Sequence, residues 1–151
     1  MSTEAMRVVL DTNIVIDLLH FADPRTATLR RAIDGGAVQC YVDQPCLAEL
    51  ERVTAYPSLA LGTARQQALL AAYRRWVIAC EADGVEDYSL PLCRDRDDQK
   101  FLVLAARCHA DLLITRDRRL LSLIGRGRSP PAYGIVTAEV AAYVLTQGPP
   151  S

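Results

Sequence analysis

Apolar and polar positions along the chain predict strands and helices following one another. Arg7-Val8-Val9-Leu10 is a short apolar run that stops at Asp11-Thr12-Asn13, after which Ile14, Ile16, Leu18 and Leu19 begin a helical spacing; the opening is strand, turn, helix. Residues 26–33 predict a second helix ended by Gly35-Gly36, and residues 37–42 a second strand. Pro45 permits a helix start, with Leu47, Leu50 and Val53 on one face and Pro57 closing it. The clearest helical face carries Leu69, Ala72, Tyr73, Trp76, Val77 and Cys80, spaced as one buried stripe and broken at Asp83-Gly84. The stretch to Leu92 is predicted as irregular or as a short edge strand.

Asp97-Asp98 then precede a helix containing Phe101, Leu102, Ala105, Ala106 and Cys108. Leu112-Leu113-Ile114-Thr115 is compact and apolar, hence a buried strand, and Asp117 follows closely. After a basic loop with Gly125, Gly127 and Pro130-Pro131, Gly134-Ile135-Val136 predicts a last strand and Thr137 the cap of a last helix. Strands alternating with helices imply an α/β fold with a central parallel sheet covered on both faces. A single domain is expected over residues 1–151, with flexible ends at 1–5 and 147–151.

Composition adds class rather than function: half the residues are hydrophobic, as in a soluble globular enzyme. No apolar stretch approaches the ~20 residues of a membrane span, and the N-terminus lacks a basic-then-apolar signal, so a cytoplasmic protein without membrane partners is expected. Cys40, Cys46, Cys80, Cys93 and Cys108 are odd in number and form no Cys-x-x-Cys pair, which argues against a disulfide framework and a structural zinc site; they are taken as small apolar residues. A net charge of −1 offers no global attraction to nucleic acid, so such a partner has to be held by a local patch.

The chemistry lies in the acids. In open α/β sheets, reactive groups gather beyond the C-terminal ends of the strands. Asp11 ends the first strand, Asp117 follows the strand at 112–115, and Asp98 opens a helix whose dipole favours a carboxylate. Glu49 lies beside the apolar face of its helix. Taken singly, Asp11 or Asp98 is also explained as a helix cap or turn former, and Glu49 as a solvated helix residue. Together they form a set of like charges that is costly without a cation, and hard oxygen ligands suit Mg²⁺ or Mn²⁺.

The local sequences around these acids carry a resemblance. Val8-Val9-Leu10-Asp11-Thr12-Asn13 resembles the opening signature of PIN domains, and Leu47-Ala48-Glu49-Leu50-Glu51-Arg52-Val53 their helical Glu motif. Arg94-Asp95-Arg96-Asp97-Asp98-Gln99-Lys100-Phe101-Leu102 is similar to the third motif, and the run from Ala110 to Leu121, with Thr115-Arg116-Asp117, to the fourth. Gly134-Ile135-Val136-Thr137 looks like the closing strand and helix. The likeness extends over nearly the whole chain and is greatest to the branch that holds VapC-like toxins of toxin–antitoxin modules.

That resemblance implies a PIN-like three-layer α/β/α fold and a metal-dependent endoribonuclease. Its catalytic and metal-binding acids carry over to Asp11, Glu49, Asp98 and Asp117, with Asn13 and Thr115 as supporting groups; among Asp95, Asp97 and Asp98, the last immediately precedes the apolar helical pattern. It further implies an RNA substrate, a cognate antitoxin and a homodimer. One or two Mg²⁺ or Mn²⁺ ions would activate water for phosphodiester hydrolysis, with Asp11 and Asp117 as direct ligands and Glu49 and Asp98 completing the set or orienting water. His20 and His109 have no part in that chemistry.

Cations for the phosphate backbone are available beside the motifs at Arg94, Arg96, Lys100, Arg116, Arg118 and Arg119, and in the loop at Arg126 and Arg128. Haloacid-dehalogenase-type phosphatases need a second Asp where this chain has Asn13, and phospho-receiver domains need paired acids and a Lys that are not visible. The glycine signatures of dinucleotide and phosphate-loop binding are missing. The alternative of another class is a non-catalytic PIN-like module that grips RNA or protein without cutting it.

Overall fold

The computed structural model describes residues 5–80, 98–123 and 133–147. Strands β1 (Met6–Leu10), β2 (Val38–Val42), β3 (Val77–Ala79), β4 (Leu112–Ile114) and β5 (Gly134–Val136) form a parallel sheet in the order β3-β2-β1-β4-β5. The connections carry α1 (Thr12–Ile16), α2 (Ala27–Asp34), α3 (Gln44–Thr54), α4 (Gly62–Trp76), α5 (Gln99–Arg107), α6 (Arg118–Leu121) and α7 (Ala138–Gln147). Parallel neighbours need such crossovers, because a hairpin turn can only join antiparallel strands.

Successive strand residues face opposite sides of a sheet. Val8 and Val9 are both inaccessible to solvent, as are Leu113 and Ile114, so both faces are covered and the fold is the expected three-layer α/β/α arrangement. Helices α3 and α5 pack together, as do α2 and α7. Among the described residues no helix is long and apolar enough to cross a membrane.

Local chemistry ends the elements where the sequence suggests. Past α2, Gly36 takes a left-handed φ of 82° and the chain closes with Ala37 N–H donating to Ala32 O at 3.0 Å. The same closure follows α5, where His109 adopts φ 53° and Ala110 N–H reaches Ala105 O, which gives this histidine a backbone role. Thr137 caps α7 through Val140 N–H, and Asp43 caps α3 by accepting from Cys46 N–H at 3.1 Å. Cys40, Cys46 and Cys108 are buried free thiols, and burial pushes Cys40 and Cys108 up to about 12, so they are small apolar residues as expected.

One element differs from expectation. The stripe through Val77 and Cys80 predicts a continuing helix, yet α4 stops at Trp76 and Val77–Ala79 pair with β2 in the register Cys40↔Val77 to Val42↔Ala79. The β-branched pair Val77-Ile78 favours an extended chain, and the open edge of β2 supplies hydrogen-bond partners that a helix end lacks. The segments expected as a break at Asp83-Gly84, a strand before Leu92, Cys93, the loop around Gly125 to Pro131 and the two chain ends (1–4, 148–151) lie outside the described residues.

Candidate active site

The strand order reverses at β1. From there the chain steps outward to β2 and β3, then returns to β4 on the other side, so the connections leaving β1 and β4 diverge and open a crevice at their C-terminal ends. Leu10 is in register with Ile114, and Asp11 N–H continues the ladder to Ile114 O at 3.0 Å. Asp11 and Thr115 therefore emerge side by side.

Thr115 is completely buried and its hydroxyl joins two of the acids. It donates to Asp11 Oδ2 at 2.7 Å and accepts from Asp117 N–H at 3.0 Å. Asp11 occupies the N-cap position of α1, but its side chain makes no cap hydrogen bond, and it is only 4% exposed. Its carboxylate is thus turned into the crevice. Burial raises its pKa above the ordinary value; the Thr115 hydroxyl draws it back, the charge of Glu49 pushes it up, and smaller effects come from the Thr12 amide (downward) and Asp117 (upward). Asp117 is half-buried and does cap its helix, with Oδ1 accepting from Arg119 N–H at 2.8 Å.

Glu49 reaches the crevice because of its helical phase. It lies three residues after Cys46 and four before Val53, on the flank of the stripe that Cys46, Leu50 and Thr54 bury. Both carboxylate oxygens are engaged: Thr12 Oγ1 donates to Oε2, and Lys100 Nζ lies 2.6 Å from Oε1. Lys100 stands in the first turn of α5, which brings that helix start to α3. Asp98 occupies the N-cap position of α5, makes no cap hydrogen bond with its side chain, and has its Oδ2 fully buried.

The remaining candidates divide by exposure. Asn13 is exposed on the first turn of α1, and Arg118 and Arg119 are exposed beside Asp117. Arg116 is exposed as well, with Nε donating to Asp17 Oδ2 at 3.0 Å. Lys100 is turned inward, its side chain only 19% exposed. Arg94, Arg96, Arg126 and Arg128, together with Asp95 and Asp97, lie outside the described residues. Two contributors were not legible as site residues. Thr12 was visible only as the neighbour of Asp11, and Asp17, the first residue of a π-helical turn (Asp17–Phe21), is buried and accepts from Arg116, a contact that no spacing in the sequence announces.

The donor chemistry suits a hard divalent cation: carboxylates with little access to water converge, and Asp11 feels the charge of two others. The arrangement is nevertheless not a closed cage, because among the described residues no three Asp, Glu, His or Cys side chains are grouped to hold an ion. Glu49 is instead matched with an ammonium group.

Comparison with known proteins adds family evidence. A family model described as a PIN domain matches residues 7–119. A chain in the crystal structure of VapBC2 from Rickettsia felis bound to a DNA fragment from their promoter is similar in fold, with a TM-score of 0.57 and 16% identity over 87% of this chain and 98% of that one. No curated protein matches.

Proposed function

The chain belongs to the PIN-domain family, and from that premise we propose that it is a metal-dependent endoribonuclease, the toxin of a toxin–antitoxin pair, forming one domain over residues 1–151. The observation that carries this reading is the buried, uncapping Asp11 carboxylate, tied through Thr115 to Asp117 at the switch point of the sheet. A carboxylate withheld from solvent and raised in pKa by its neighbours is costly to the fold unless a cation repays it.

Asp11 and Asp117 would hold a Mg²⁺ or Mn²⁺ ion, with Glu49 and Asp98 completing the set or orienting water. The bound ion would supply Lewis acidity and lower the pKa of water. The residues of the chain supply the rest. Thr115 fixes the rotamer of Asp11 and the approach of the Asp117 backbone, Asn13 offers an exposed amide at the rim, and Arg116, Arg118 and Arg119 meet the phosphates of RNA, with Arg94, Arg96 and Lys100 as further cations. An antitoxin partner draws support from the VapBC2 likeness. A homodimer and a cytoplasmic location complete the proposal.

The second reading is a non-catalytic RNA- or protein-binding module, which the pairing of Glu49 with Lys100 favours. Purified protein incubated with a structured RNA separates the two. Cleavage in Mn²⁺ that stops in EDTA, and is lost in folded Asp11→Asn, Asp98→Asn and Asp117→Asn variants, is the nuclease outcome; RNA retained intact by wild type overturns it.

A further inference from the structure

Lys100 has a place in the site that its charge alone does not suggest. Its Nζ lies 2.6 Å from Glu49 Oε1, and the two side chains are 19% and 14% exposed, so the pair is largely shielded from water. The opposite oxygen of Glu49 accepts from Thr12, one residue after Asp11. Because Thr12 directly follows Asp11, the Lys–Glu pair lies at the Asp11 end of the crevice. Elsewhere in the chain, lysine is not found: Lys100 is its only one, against many arginines. An ammonium is a compact point charge, closer in kind to a metal cation than a planar guanidinium is.

We propose that Lys100 is a built-in counter-cation of the carboxylate site, which holds Glu49 in the metal-free protein and competes with the divalent ion for it. The inference rests on the metal-dependent reading above. In the metal-free state Lys100 balances one of the clustered negative charges, and this stabilises an arrangement that would otherwise repel itself. When an ion enters, the same ammonium is a like charge beside it. Lys100 therefore sets an upper limit on affinity, because Glu49 has to exchange its ammonium partner for the ion.

The test is calorimetric titration of metal-free protein with Mn²⁺, comparing wild type with Lys100→Met, which keeps an unbranched chain and removes the charge. The expected result is Mn²⁺ binding at least about tenfold tighter in Lys100→Met, since a unit charge a few ångströms from a divalent ion costs more than about 1.4 kcal/mol even when screened as in water. Its metal-free melting temperature should fall, because Glu49 loses its partner. Lys100→Arg keeps the charge and should bind Mn²⁺ close to wild type. The double variant Glu49→Gln/Lys100→Met should lose the gain, as the freed carboxylate is gone. If Lys100→Met does not fold by circular dichroism, Lys100→Gln takes its place in the same comparison. Mn²⁺ bound by wild type and no more tightly by the folded, uncharged variant overturns this proposal alone. Mn²⁺ bound by neither protein overturns it together with the metal-dependent reading.

Discussion

Thr115 offers the sharpest test of how the site is held together. Its hydroxyl is completely buried, donates to Asp11 Oδ2 at 2.7 Å and accepts from Asp117 N–H at 3.0 Å. Thr115→Val keeps the shape and removes both bonds. A hydrogen bond to a charged group contributes about 1.5–3 kcal/mol and the stranded amide adds about 1 kcal/mol, while the extra buried methyl returns about 0.8 kcal/mol. The net loss is about 2–3 kcal/mol, which for a chain of this size lowers the melting temperature by about 4–12 °C. Thr115→Ser is the control, since it keeps the hydroxyl and loses one methyl, about 1 kcal/mol or about 2–4 °C. Thermal unfolding in EDTA, followed by circular dichroism, measures both, and RNA cleavage in Mn²⁺ should fall in the same order. A Thr115→Val protein that melts with or above Thr115→Ser would show that the position matters for packing and that the hydroxyl bridge does not hold the two acids.

Two further outcomes follow from other contacts. The folded pKa of Asp11 lies above its ordinary value of 3.8, chiefly through burial, so over the window just above 3.8 this group is more protonated in the native state than in the unfolded one and its contribution to metal-free stability falls as pH rises; the melting temperature of wild type in EDTA should fall relative to that of Asp11→Asn across that window, and equal slopes would refute the assignment. The Arg107–Asp43 pair, 2.9 Å apart with side chains 8% and 6% exposed, ties the end of α5 to the start of α3; Arg107→Met should cost about 3–5 kcal/mol in urea unfolding because it leaves Asp43 buried without its cation, and Asp43→Asn in the same background should recover part of it.

Much of the architecture was legible in the sequence because it is encoded locally. The runs at Val8–Leu10 and Leu112–Ile114 are apolar without alternation, as strands buried on both faces must be, and the cap at Thr137 and the glycine stop after α2 act over a few residues. The position of Asp11 at a strand end and of Glu49 beside an apolar helical stripe are likewise properties of periodicity. Tertiary structure decided everything that depends on pairing across the chain. Val77–Ala79 became strand rather than helix because β2 presented an open edge, and a helical stripe cannot report an edge more than thirty residues away. Asp17 met Arg116, far along the chain, only in the folded molecule. Lys100, one of several cations beside the acidic motifs, was committed to Glu49 only when α5 packed on α3, since a charge in sequence has no partner until packing supplies one in space.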